Sequence, residues 1–64
     1  MTIIRHPSSP FHARLTPTPD GTLAQLCEDT SAPGEFHVLV SEMVRFKPYE
    51  SVVREMRKIL EEST

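Results

Sequence analysis

The chain reads as an α+β domain: a small antiparallel three-stranded sheet in the order β-β-β-α, with one C-terminal helix packed on one face. Three stretches carry this expectation. Residues 47–64, KPYESVVREMRKILEEST, repeat apolar side chains at steps of three and four. Residues 11–16 alternate apolar and polar ahead of a Pro- and Gly-rich turn. Residues 36–46, FHVLVSEMVRF, are rich in β-branched and aromatic side chains. An antiparallel meander with the helix laid across it is the simplest arrangement that keeps every connection short.

In chain order, residues 1–10 hold one apolar pair, Ile3 and Ile4, and then Pro7, Ser8, Ser9 and Pro10. Proline and serine favour extended or irregular backbone, so this segment is expected as a flexible N-terminal arm, with a short edge strand over residues 2–5 as the alternative. The domain proper then occupies residues 11–64. In residues 11–16, Phe11, Ala13 and Leu15 share one face and His12, Arg14 and Thr16 the other, the period-2 pattern of a half-buried strand. Pro19-Asp20-Gly21 reverses the chain, because Pro presets φ and Gly admits positive φ. Residues 22–29 segregate polar from apolar poorly. Leu23, Leu26 and Cys27 would share a helix face, but the preceding turn joins strands and the segment is short for a helix, so a strand is expected.

Pro33-Gly34 forms a second turn. The run 36–46 is the strongest strand, with Phe36, Val38, Val40, Val44 and Phe46 on one face and Glu42 interrupting it. Eleven residues exceed the common strand length of about five or six, which predicts a bend or bulge near Ser41 and Glu42, or two strands divided there. In the helix, Tyr49, Val52, Val53, Met56, Ile59 and Leu60 form an apolar stripe about 100° wide. Pro48 and Glu50 suit its first turn. The expected core sets Phe11, Ala13, Leu15, Phe36, Val38 and Val40 against Val52, Val53, Met56, Ile59 and Leu60.

Composition narrows the function classes. A chain of 64 residues forms one small domain that buries only about 60% of its unfolded surface, so burial against a partner would add stability. A net charge of −2 argues against nucleic acid as a partner, since its binders usually carry a basic stripe. The single cysteine, Cys27, leaves no disulfide framework and fits a cytoplasmic, reducing compartment. No stretch approaches the roughly 20 apolar residues of a membrane span, and residues 1–10 lack the apolar run of a secretory signal. The initial Met and the polar helix tail read as a complete short protein.

No catalytic, cofactor or metal site is expected. His6, His12, His37 and Cys27 lack the paired short spacings of zinc ligands. Cys27 beside a histidine could become a thiolate nucleophile, but a bare small sheet has no cleft to exclude water. The only two glycines fall in turns, so no phosphate loop is present. The outward sheet face is the expected partner-binding surface, with His12, Arg14, His37, Leu39, Met43 and Arg45 on it, apolar atoms rimmed by Arg and His. The sequence therefore points to a small cytoplasmic protein-binding module, an inhibitor or adaptor of a larger protein, with homodimerisation as a further use of the same surface. Short acidic chains of this size are frequent among phage and mobile-element products such as anti-CRISPR proteins, an analogy of size and charge only. The alternative is a nucleic-acid-binding regulator that uses the sheet face.

Overall fold

The computed structural model describes residues 1–62, so the last two residues of the expected helix, 63 and 64, lie outside the described residues. Four strands, β1 (Thr2–Arg5), β2 (Phe11–Thr18), β3 (Gly21–Asp29) and β4 (Phe36–Val44), precede one helix, α1 (Tyr49–Glu62). They form an antiparallel meander in the order β1-β2-β3-β4. The fold is the expected α+β arrangement with one strand more. The added strand is Thr2–Arg5, expected as part of an arm. Its Ile4 sits opposite Ala13 and is buried in the core, which ties the N-terminus into the sheet.

The hairpin between β2 and β3 turns at Pro19 and Asp20, with Thr18 opposite Gly21. Gly21 has φ of +148°, and a Cβ there would lie 2.3 Å from the Val44 carbonyl oxygen. Only glycine lets the hairpin tip approach β4 this closely. Pro17 lies past the end of β1, where β2 has no neighbour on that side, so its missing N–H interrupts no ladder.

Helix α1 lies across β1, β2 and β3. Ile4, Ala13, Leu15, Ala24, Val52 and Leu60 form the buried centre, with Phe11, Leu26, Val44, Tyr49, Val53 and Met56 packed around it. The Tyr49 hydroxyl donates to the Leu15 carbonyl at 3.0 Å and accepts from the Thr2 hydroxyl. Helix start, β1 and β2 are pinned at one point. The Pro48 carbonyl accepts from Val52 N–H at 3.2 Å, which makes Pro48 the residue that opens the helix.

The expected core needs three corrections. Phe36 and Val38 lie on the helix-free face, Val40 is half exposed, and Ile59 is 48% exposed while Leu60 is 2% exposed. The cause in β4 is a bulge. Leu26 pairs with Val40 but Cys27 with Val38, so Leu39 is an extra residue, and every side chain before it changes face relative to simple alternation. The irregularity comes about two residues earlier than the Ser41–Glu42 position expected from strand length. In α1 the buried direction runs through Val52, Met56 and Leu60. Ile59 falls on the flank of the stripe, the side that carries Glu55, whose carboxylate accepts from Lys47 Nζ at 2.8 Å just beyond β4.

Candidate functional site

Two features of the sheet are candidates for function: a polar cluster sealed on the helix-free face, and the free edge of β4. The cluster is assembled by register. Arg5, His12, Cys27 and Val38 lie in one row across the four strands, and Asp29 sits opposite Phe36. His12 and Cys27 are completely buried. The Phe36 ring meets His12 edge-on, with centroids 5.1 Å apart, and the Arg14 guanidinium stacks 3.9 Å above the Phe36 ring centre. Aromatic and cation–π contacts together form a lid over the imidazole, and the thiol lies between His12 and Val38.

The hydrogen-bond pattern assigns the state of His12. Arg14 Nε–H donates to His12 Nε2 at 3.1 Å, so Nε2 carries a lone pair and the ring proton sits on Nδ1. Asp29 Oδ1 lies 3.0 Å from Nδ1, yet off the direction of the ring N–H, so Nδ1 has close charge contact without a well-aligned hydrogen bond. The other Asp29 oxygen accepts from Arg5 at 2.7 Å. Burial, seconded by the Arg5 charge, holds the His12 pKa below its ordinary value against the opposing pull of Asp29. Burial likewise pushes the Cys27 thiol up. A histidine activates a thiol through a free ring nitrogen; here Nε2 is occupied by Arg14 and both groups are shut from solvent. The arrangement stabilises the sheet and presents no accessible nucleophile. An open depression between β1 and α1, lined by Thr2, Tyr49, Glu50, Val53, Arg54 and Arg57, includes neither group. Among the described residues no three His, Cys, Asp or Glu side chains converge as metal ligands.

The second candidate is β4. It is a nine-residue strand at the sheet edge, and its six central residues, His37 to Glu42, are exposed. Val38, Leu39 and Val40 are each about half exposed, and Phe46, just past its end, is 98% exposed. A sheet edge presents unpaired N–H and C=O groups, and proteins usually blunt it with Lys, Pro or a short strand. The opposite edge, β1, is only four residues long. Strand β4 is long, apolar at its centre, and has no Lys or Pro.

The six residues expected at the partner surface separate in the structure. Arg14 and Met43 lie on the helix-free face. His12 is on that face but wholly buried, so it offers no contact surface. His37, opposite Glu28, lies on the helix side. Leu39 is the bulged residue, and Arg45 follows the strand's end. The sequence reading missed Phe36 and Val38 on the outer face, and the Arg5–Asp29 clamp joins segments 24 residues apart with no local signal.

No protein-family model, curated protein or solved structure matches the chain.

Proposed function

We propose that the chain is a small protein-binding module, an inhibitor or adaptor that engages a larger protein by adding β4 to a strand of its partner. One observation carries the reading: the nine-residue edge strand, apolar and exposed at its centre, while α1 packs mainly on β1, β2 and β3. Main-chain hydrogen bonds along such an edge supply affinity, and the side chains alternating on its two faces supply selectivity. The binding residues in this reading are Val38, Leu39, Val40, Met43 and Arg45, with His37 and Glu42 as the polar members.

Less supports a nucleic-acid reading: of the two arginines it would set on phosphates, Arg14 and Arg45, the first is stacked on Phe36 and bonded to His12, and the net charge is −2. The unpaired, buried Cys27 fits a reducing cytoplasmic setting, and no helix among the described residues is long and apolar enough to cross a membrane.

The test is affinity capture from the native host with the wild-type chain and with Leu39→Asp, read by mass spectrometry and followed by hydrogen exchange on the reconstituted pair. A stoichiometric protein that protects β4 amides and is lost with Leu39→Asp supports the proposal. A partner retained by Leu39→Asp, with protection on α1 or β1, contradicts it.

A further inference from the structure

The bulge at Leu39 decides which strand the β4 edge can accept along its whole length. Cross-strand neighbours must point to the same face of a continuous sheet. Before the bulge, Phe36 and Val38 point away from the helix and His37 toward it. After the bulge, Ser41 and Met43 point away, and Val40, Glu42 and Val44 toward it. A regular two-fold pairing of β4 with itself would therefore put helix-side residues opposite outer-face residues in one half. Only a two-fold axis between Leu39 and Val40, where the bulges of two copies meet, matches the faces from Phe36 to Met43.

In that register the side chains are complementary. On the helix side, His37 falls opposite the second copy's Glu42, and Glu42 opposite the second copy's His37, so an imidazole meets a carboxylate twice. Leu39 and Val40 of both copies gather at the axis as one apolar cluster. On the outer face Val38 meets the second copy's Ser41, and Phe36 meets the second copy's Met43, an aromatic–thioether contact.

Resting on the reading of β4 as the recognition edge, we propose that, until a larger partner displaces it, its occupant is a second copy of this chain, paired antiparallel about Leu39 and Val40 to give a continuous eight-stranded sheet. The pairing removes the one long open edge and leaves β1, the short one, at both ends. It also adds the burial that a domain this small lacks.

The test uses the full chain. Sedimentation velocity over a dilution series should show a monomer–dimer equilibrium. The register is read by disulfide trapping with diamide as oxidant. In a Cys27→Ala background, which removes the native thiol directly opposite Val38, Val38→Cys with Ser41→Cys should give a covalent dimer, because directly opposed residues lie within bridging distance. Val38→Cys with Met43→Cys, offset by two residues, should not. His37→Glu opposes like charges at two places and should weaken dimerisation by about tenfold or more. His37→Glu combined with Glu42→His exchanges the partners and should restore it, and circular dichroism confirms the fold of each variant. A wild-type chain that stays monomeric at every concentration overturns self-pairing, and so does trapping through residues 38 and 43 but not 38 and 41. The broader binding reading is decided separately, by whether a captured partner survives Leu39→Asp.

Discussion

Truncating two adjacent residues, Ile59 and Leu60, separates the observed packing from a helix stripe read as uniformly buried. Leu60 is 2% exposed and packs within the cluster of Ile4, Ala13, Leu15 and Val52. Leu60→Ala removes its transfer energy and leaves a cavity under the helix, a cost of about 3–5 kcal/mol. Ile59 is 48% exposed, so roughly half of the ~2–3 kcal/mol for a fully buried side chain is at stake. Alanine's better helix propensity returns about 0.4 kcal/mol, leaving a net cost of about 1 kcal/mol or less. A chain of this length has a total stability of about 3–10 kcal/mol, so Leu60→Ala should remove much of it and lower Tm by at least about 12 °C, while Ile59→Ala shifts Tm by only a few degrees. Urea unfolding followed by helix ellipticity measures both, at a concentration where the wild-type chain is monomeric. Equal losses, or a larger loss for Ile59→Ala, would refute the orientation of α1.

Three further outcomes follow from particular contacts. Gly21→Ala puts a Cβ against the Val44 carbonyl at a positive φ and should cost about 2–3 kcal/mol, whereas Gly34→Ala, at φ of +82° in open space, should cost only about 1 kcal/mol from backbone strain; similar losses at the two sites would contradict the close approach of hairpin tip and β4. His12, held neutral in the fold, should show an NMR titration midpoint below the ordinary 6.5. The unfolded chain then takes up a proton near pH 6.5 that the native chain refuses, so His12 should make stability fall as the pH drops below that value, until the native imidazole itself is protonated; a midpoint above 6.5 would contradict its buried, lone-pair-accepting state. Cys27 should resist a thiol reagent in the native protein under conditions that label the urea-unfolded chain completely, and rapid native labelling would contradict its complete burial.

Much of the architecture is written locally. The helix shows in the three-and-four spacing of its apolar residues, and the β2–β3 hairpin in Pro19-Asp20-Gly21. Strand β3 segregates polar from apolar poorly because it buries side chains on both faces, Ala24 toward the helix and Cys27 away from it. The remainder depends on distant partners. Four residues, TIIR, form β1 only because Ile4 finds Ala13 and Thr2 finds Tyr49. In β4 the pattern around Phe36 and Val38 reads as core-facing until one extra residue, Leu39, reverses it. Alternation placed His12 on the right face, yet it is packed under Phe36 of another strand as well as Arg14 of its own, and no local pattern records the Phe36 contact.

The central claim, that the β4 edge is where this chain meets its partner, is tested most directly by amide hydrogen exchange at residue resolution. In a dilute monomer, those β4 amides that point away from β3 should exchange quickly while the amides bonded to β3 stay protected. As the chain is concentrated, or as a captured partner is added, the outward amides from residues 36 to 44 should become protected together. Outward amides that are already slow in the monomer, or protection that rises on β1 or α1 while β4 stays open, would contradict it.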